Sequence, residues 1–189
     1  MTTVCAVARN GRVVMAADSM TTVYDRPIYG ARKIIKLAVA DARNDFDNST
    51  LLIGCSGDGA YAGLLRHGHY HVDGIPDPGV DAQPWATAIA QGITELGIAH
   101  GLTDDGRLDA HLLLGWRGQL WTLVHQQAIA HPDGIAAIGS GEGPAIGAID
   151  YALATGYADD LPGLLTAAVT IAIRRDRYSG GTIYAESIG

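Results

Sequence analysis

The sequence has few cysteines and few charged residues, and it has no long apolar run. Charged residues make up 17% of the 189 residues, but hydrophobic residues make up 48%, so the composition is not that of a disordered chain. No apolar run reaches about 18 residues and no basic segment precedes an apolar one, so we expect neither a membrane span nor a secretory signal. The two cysteines, Cys5 and Cys55, fit a reducing compartment better than a disulfide framework, which indicates a cytoplasmic protein.

Basic residues, and lysine above all, are also scarce. Thirteen Lys and Arg stand against 20 Asp and Glu, and the net charge of −7 argues against a nucleic-acid-binding surface, which needs clustered positive charge. Only two of the basic residues are lysines, and Lys33 and Lys36 lie in one short stretch. Because the chain otherwise uses arginine, a lysine kept at one place calls for a chemical reason.

The pattern of apolar residues predicts one domain, 1–189, of the α+β class. Strands are predicted at 3–8, 12–17, 33–39, 51–55, 110–116, 119–125, 135–138 and 182–186. Helices are predicted at 60–66, at 84–99, from Gly139-Ser140-Gly141 to about 154, and at 161–174. Because helices do not alternate with single strands, a doubly wound parallel sheet is unsuitable. We expect a four-layer αββα sandwich, in which helices flank two antiparallel sheets.

Thr2 is a candidate nucleophile. Initiator methionine is generally removed when the next residue is small, and this would leave a threonine whose hydroxyl and free α-amine belong to one residue. Such an amine can act as the base for its own hydroxyl, since its ordinary pKa of about 7.7–8.0 leaves a neutral fraction near pH 7. Taken alone, Met1-Thr2-Thr3 is more simply just the start of a chain.

Three further residues fit the same chemistry. Asp18 ends the strand that runs back towards the chain start, and Lys33 opens the next long strand, where the two could meet. A lysine between a carboxylate and a hydroxyl would stabilise an alkoxide, and Gly57 could present a backbone N–H to an oxyanion. Each also has a plainer reading, as a turn aspartate, a surface lysine and a helix-start glycine.

Together these residues resemble those of proteasome β-subunits and HslV, the threonine peptidases among the N-terminal-nucleophile (Ntn) hydrolases. The shared blocks span nearly the whole chain: Thr2-Thr3-Val4, Asn10-Gly11, Ala16-Ala17-Asp18-Ser19, Arg32-Lys33-Ile34-Ile35, Gly54-Cys55-Ser56-Gly57, Ile138-Gly139-Ser140-Gly141 and 175–181. The last block, Arg-Asp-Arg-Tyr-Ser-Gly-Gly, is typical of proteasome β-subunits, whereas the opening is also similar to HslV. The sequence therefore resembles both branches.

The resemblance implies a role for each matching residue. Thr2 would be the nucleophile with its own amine as base, Lys33 would lower the pKa of the hydroxyl, and Asp18 would orient Lys33. The Gly57 N–H would form the oxyanion hole. The residues that hold the amine and the threonine side chain would be Ser140, Asp176 and Ser179. The backbone of Thr22 would pair with an extended substrate, and the first specificity pocket, suited to an uncharged residue, would be lined by Ala31, Ile35, Cys55 and Gly59.

The resemblance also implies an endopeptidase in a homo-oligomeric ring that acts on peptides or unfolded proteins, without a cofactor or metal, and with an ATP-dependent unfoldase as a possible partner. Two alternatives stay open: an amidohydrolase acting on a small amide, and a catalytically silent ring if Met1 is retained. The chain also departs from the family pattern. The segment from Asp18 to Lys33 is one residue shorter than usual, and prolines in 72–82 interrupt the outer helices that make ring contacts.

Other residues have less specific readings. His67, His69 and His71 alternate along the chain and could bind a transition metal, although a helix end that favours histidine is the plainer account. The three tryptophans are expected in the core or at a subunit interface. Lys36 is expected in solvent, on the opposite strand face from Lys33.

Overall fold

The computed structural model describes residues 2–40, 50–77, 79–105, 107–157 and 159–189. Within these ranges the strands are β1 (Val4–Arg9), β2 (Arg12–Ala17), β3 (Thr21–Val23), β4 (Arg26–Ile28), β5 (Ile34–Ala40), β6 (Thr50–Gly57), β7 (Val72–Asp73), β8 (Thr103–Asp104), β9 (Arg107–Leu108), β10 (Ala110–Trp116), β11 (Gln119–Val124), β12 (Gln127–Ala130), β13 (Ile135–Ile138) and β14 (Tyr184–Ile188). The helices are α1 (Ala60–Arg66), α2 (Gln83–Ala99), α3 (Glu142–Ala154) and α4 (Leu161–Arg175).

The strands form two main sheets. The first has the order β13-β1-β2-β14 and the second the order β12-β11-β10-β6-β5-β7, while β3-β4 and β8-β9 are separate small hairpins. The β1–β2 hairpin turns at Asn10-Gly11, where both residues have positive φ, as the sequence predicts. All pairings are antiparallel except that of β7, which runs parallel to β5 at the sheet edge.

The core lies in three apolar layers. Between the two sheets, apolar side chains of β1 and β2 meet those of β6 and β10, with Met15, Leu52 and Leu113 fully buried. Helices α3 and α4 cover the outer face of the first sheet, and α1 and α2 cover that of the second. The predicted αββα sandwich is therefore confirmed, because both faces of each main sheet carry the apolar residues that a layer on each side requires.

Several local predictions need correction. The segment 72–82, expected to be loop throughout, contains β7, because Val72 pairs beside Val39 and is buried. The last strand lies at Tyr184–Ile188, two residues later than predicted, where it pairs with β2. Asp58, a possible cap of α1, lies just before the N-cap Gly59 and accepts a hydrogen bond from the Ala60 N–H at 2.8 Å.

Short polar strands were not predicted at all. The hairpins β3-β4 and β8-β9 and the edge strand β12 have few buried residues, so they lack the alternation that identifies a half-buried strand. The sequence also favours a turn-rich acidic loop at 41–48, which lies outside the described residues.

The tryptophans and histidines take ordinary structural positions. Trp116 and Trp121 are buried in the core beneath α2, and Trp85 of that helix packs on Trp116 with ring centroids 4.6 Å apart. His69 packs edge-on against His100, and within the described ranges no three His, Cys, Asp or Glu side chains are placed to hold a metal ion. Within those ranges, too, no helix is long and apolar enough to cross a bilayer.

Candidate active site

Thr2 lies at the entrance to β1, in the middle of the first sheet, and is only 3% exposed. The turn after β13 wraps around it: the Gly141 N–H donates to the Thr2 carbonyl at 3.3 Å. Gly139 in this turn has a φ of +97°, and a Cβ there would overlap the same carbonyl oxygen. A side chain at position 139 would therefore push Thr2 out of place, which explains the Gly-Ser-Gly sequence at this turn.

Asp18 and Lys33 form a buried ion pair next to this residue. Asp18 follows β2 and Lys33 precedes β5, so the pair joins the two sheets, with 2.7 Å between Lys33 Nζ and Asp18 Oδ1. Asp18 is fully buried, and its carboxylate also accepts backbone N–H groups of Thr3 at 2.9 Å, Met20 at 3.1 Å and Gly180 at 2.9 Å. Four donors satisfy both oxygens, so the carboxylate is fixed and in turn fixes the lysine.

The environment of Lys33 changes its acidity. Burial lowers the pKa of its ammonium from 10.5, and the attraction and hydrogen bond of Asp18 only partly oppose this effect. A compact cation with a lowered pKa, held in one position, suits the stabilisation of a nearby developing alkoxide.

A series of hydrogen bonds connects the Thr2 nitrogen to the Thr3 hydroxyl through two serines and one carboxylate. Asp176 Oδ2 accepts from Ser140 Oγ and from Ser179 Oγ, each at 2.6 Å. Because each serine has one proton and gives it to Asp176, each must accept from its other partner. Ser140 Oγ therefore accepts from the Thr2 nitrogen at 3.3 Å, and Ser179 Oγ accepts from Thr3 Oγ1 at 2.7 Å.

Asp176 is suited to accept hydrogen bonds from both serines, because its carboxyl group stays ionised. Its partial burial alone would raise the pKa of the carboxyl, but hydrogen bonds from Ser140, Ser179 and the Tyr178 N–H outweigh that effect and lower the pKa from 3.8. The group therefore stays ionised and acts only as an acceptor near neutral pH, which fixes the direction of every hydrogen bond around it.

A cavity of about 190 Å³ brings six of the twelve predicted site residues together. Its lining includes Thr2, Lys33 and Gly57 from the predicted catalytic group, and Ala31, Cys55 and Gly59 from the predicted pocket. Gly57 ends β6 with a φ of +95°, and a Cβ there would lie 2.7 Å from the Asp109 carbonyl oxygen. Only glycine fits at this position, where the backbone itself borders the cavity.

Two predicted substrate-binding residues lie outside the lining. Thr22 is exposed and pairs with Pro27 in the β3-β4 hairpin, while the neighbouring Thr21 lines the cavity, as expected when successive side chains point to opposite faces. Ile35 is buried in the core between the second sheet and its helices. There it packs in one apolar cluster with Tyr61, Ala62 and Leu65 of α1.

Charged residues that the sequence reasoning missed also line the cavity. They are Arg32, Asp58 and Arg66, so the lining is not uniformly apolar. Arg66 ends α1 and donates to the Arg32 carbonyl at 2.5 Å. The sequence did indicate Arg66. The lining residues of α1 and its start follow the spacing of one helix face, which consists of Gly59, Ala62, Gly63 and Arg66.

Comparisons with known proteins support this fold. No family model and no curated protein matches the sequence. Among solved structures, Thiobacillus denitrificans BPH, a bacterial proteasome homologue, aligns over 99% of this chain and 97% of its own, with a TM-score of 0.77 and 18% identity. HslV from Trypanosoma brucei aligns over 98% of each chain, with a TM-score of 0.65 and 22% identity.

A third neighbour is Anbu (ancestral beta-subunit) from Yersinia bercovieri, which aligns over 99% of this chain and 81% of its own, with a TM-score of 0.71 and 17% identity. A further BPH structure, which aligns with a TM-score of 0.75 and 20% identity, is a complex with epoxomicin. All are proteasome-like proteins with the Ntn-hydrolase peptidase fold. The chain therefore has the proteasome-like Ntn-hydrolase fold, as its motifs indicated.

Proposed function

We propose that this protein is a threonine endopeptidase whose nucleophile is Thr2, exposed as the N-terminal residue by removal of Met1. One observation carries the proposal: Thr2, Lys33 and Gly57 border a single cavity, and Asp18 holds Lys33 in place from behind through a buried ion pair. The proteasome-like fold agrees with it, and so does the carboxylate-anchored serine that holds the Thr2 nitrogen.

The proposed reaction uses these groups in turn. The Thr2 amine takes the hydroxyl proton, directly or through a water, and Oγ1 attacks the substrate carbonyl carbon, while the Lys33 ammonium stabilises the oxygen charge. The Gly57 N–H stabilises the oxyanion. The C–N bond then breaks, the ammonium of Thr2 gives its proton to the leaving amine, and an ester to Oγ1 remains. Water hydrolyses this ester by the same steps and frees the Thr2 hydroxyl.

Asp18, Ser140, Asp176 and Ser179 would act as positioning residues in this reaction. Asp18 fixes Lys33, Ser140 holds the Thr2 nitrogen and Ser179 holds the Thr3 hydroxyl. Asp176 anchors both serines. Ala31, Cys55 and Gly59 would contact the residue before the scissile bond, and Thr22 would pair with the substrate backbone through β3.

Assembly forms part of the same proposal. Proteasome-like proteins form oligomeric rings, and we infer a homo-oligomeric ring that takes in peptides or unfolded proteins, with an ATP-dependent unfoldase as the partner that would supply them. Light scattering of the purified protein tests this point, and a monomeric mass would contradict it.

The activity is tested by combining intact mass with peptide hydrolysis. We expect the purified protein to lack one methionine, to cleave fluorogenic peptides, and to lose about three orders of magnitude in kcat/KM or more in Thr2→Ala. Thr2→Ser, which keeps a hydroxyl and an α-amine, should retain measurable activity. The matched control is Thr166→Ala, an exposed threonine on α4. Full activity in Thr2→Ala, or in protein that keeps Met1, would contradict the proposal.

Epoxomicin supplies a second measurement, because one neighbour of the same fold was determined in complex with it. We expect epoxomicin to raise the melting temperature of the wild-type protein and of Thr166→Ala, and to have no effect on Thr2→Ala.

A further inference from the structure

A second cavity of about 290 Å³ adjoins the first across the end of β6. The two cavities share Ser56 and Gly57. Thr2 lines the first cavity, whereas Ser140, which accepts a hydrogen bond from the Thr2 nitrogen, lines the second. Thr2 therefore lies between two spaces: it borders the first, and its nitrogen is directed to a residue of the second.

Proton transfer decides which part of a substrate enters each space. When the peptide bond breaks, the leaving amine needs a proton, and in the proposed reaction this proton comes from the nitrogen of Thr2. That nitrogen points to Ser140 at 3.3 Å. The leaving amine must come within hydrogen-bond reach of it, so the residue after the scissile bond is directed to the second cavity.

The second cavity is acidic. Its lining includes two acidic residues, Asp109, just before β10, and Glu142, the first residue of α3. Among its described lining residues there is no Lys or Arg, and His111 is the one other titratable side chain. Neither carboxylate has an ion-pair partner within the described part of the chain. Two acidic residues at one space, neither in an ion pair with another described residue, create a negative potential there that a positive group would neutralise.

From this arrangement we propose that Asp109 and Glu142 form a subsite that selects a lysine or arginine immediately after the scissile bond. This inference rests on the proposed peptidase function and specifies part of its substrate class. Glu142 lies in the first turn of α3, where the positive end of the helix dipole offsets part of its charge. Asp109 also lies near a helix start, because its carbonyl accepts a hydrogen bond at 2.8 Å from the N–H of Asp58, the residue before the N-cap of α1. Both residues therefore contribute to the selectivity.

The test compares internally quenched peptides that are identical before the cleaved bond and carry Lys, Gln or Glu after it. For the wild-type protein we expect kcat/KM to be about tenfold higher for Lys than for Glu, with Gln between them. The ratio should shrink as salt is raised, because both carboxylates are solvent-accessible. Asp109→Asn and Glu142→Gln should each reduce the Lys-to-Glu ratio, and the double variant should bring it close to one.

The matched control is Asp150→Asn, which removes the same charge from an exposed position of α3 outside both cavities. It should keep the wild-type ratio. Thr2-dependent cleavage with no preference for Lys would overturn the subsite and leave the peptidase proposal standing. A Lys preference that survives in the double variant would overturn the assignment to Asp109 and Glu142. If no peptide is cleaved in a Thr2-dependent way, both proposals fail.

Discussion

The two lysines of this chain lie three residues apart, and each pairs with a carboxylate at nearly the same distance. Lys33 Nζ lies 2.7 Å from Asp18, with side chains that are 8% and 0% exposed, whereas Lys36 Nζ lies 2.9 Å from Glu186, with side chains that are 48% and 34% exposed. Each pair connects the first main sheet to the second, the buried pair through residues just outside β2 and β5 and the exposed pair through β14 and β5. They differ in solvent contact and in the number of donors around the carboxylate.

This difference separates the Lys33–Asp18 pair, which holds a charged group in the candidate site, from the Lys36–Glu186 pair, which is an ordinary surface contact. Burial makes an ion pair costly to form and very costly to break, because an unpaired charge is left without water. An exposed pair gains little, because water and salt screen it and two long side chains lose freedom. Similar distances therefore do not mean similar importance, and the substitutions below are chosen to measure the contrast.

Asp18→Asn should have the largest effect on stability. The amide has one acceptor oxygen, so two of the four donors around position 18 would lose their acceptor, and the Lys33 ammonium would stay buried without an opposite charge. We expect the free energy of unfolding to fall by about 3–5 kcal/mol, measured by urea denaturation at one protein concentration.

The double variant Asp18→Asn/Lys33→Met sharpens this prediction. Because it removes the uncompensated ammonium as well, it should be more stable than the sum of the single effects predicts. Simple additivity of the two substitutions would show that the ion pair does not couple them, and would contradict the comparison.

Lys33→Arg should have the next largest effect, this time on catalysis. A guanidinium keeps the charge but is planar and larger, so it cannot place a compact cation beside Thr2 in a cavity of about 190 Å³. We expect kcat for peptide hydrolysis to fall by about 100-fold or more. Lys36→Arg is the matched control and should keep wild-type kcat. Equal activity in the two arginine variants would remove the distinction between the lysines.

The sequence predicted much of this site because its residues are constrained by backbone geometry. Thr2, Asp18, Lys33 and Gly57 lie at strand ends whose order along the chain follows from apolar runs and the Asn10-Gly11 turn. Strand pairing then fixes where those ends meet, and Gly139 and Gly57 are kept because a Cβ would collide with the backbone beside them. Such requirements limit which residues can stand at these positions, so the positions can be recognised in the sequence.

What the sequence did not predict depends on long-range packing. A short strand such as β7 forms because its backbone can pair with the edge strand β5. Since β7 has only two residues, its sequence shows no periodicity from which a strand could be predicted. Ile35 was assigned to the pocket by resemblance, but its side chain lies in a core cluster outside the cavity lining. Side-chain direction depends on strand register, which is hard to assign in a segment one residue shorter than usual. Arg66 reaches the cavity from the far end of a helix, and the acidic cavity combines residues from β10 and α3 that are distant in sequence.

The pH dependence of peptide hydrolysis should reveal Lys33 more modestly. Activity should rise with pH as the Thr2 amine loses its proton, near its ordinary pKa of about 7.7–8.0. The Lys33 ammonium is needed in its charged form, and burial lowers its pKa, so activity should fall again at a pH below 10.5. A bell-shaped profile of kcat/KM is expected, and Lys36→Met should leave the alkaline limb in place. A profile that stays flat up to pH 10.5 would contradict the role of a buried Lys33 ammonium.

Removal of the exposed pair should have the smallest effect. Lys36 projects from β5 and Glu186 from β14, so their contact connects the two main sheets and by position alone resembles the buried pair. Because both side chains are in water, we expect Lys36→Met and Glu186→Gln each to change the free energy of unfolding by under about 1 kcal/mol.

A double-mutant cycle for Lys36 and Glu186 isolates the contact itself, and its coupling energy should be about 0.5 kcal/mol and fall towards zero in 1 M salt, where the Debye length is about 3 Å. Exposure, and not the 2.9 Å distance or the position between the sheets, is the reason for this expectation. A coupling energy of about 2 kcal/mol that persists at high salt would show that linking the sheets matters more than contact with solvent. The contrast between the two lysines would then rest on the chemistry at Thr2 alone.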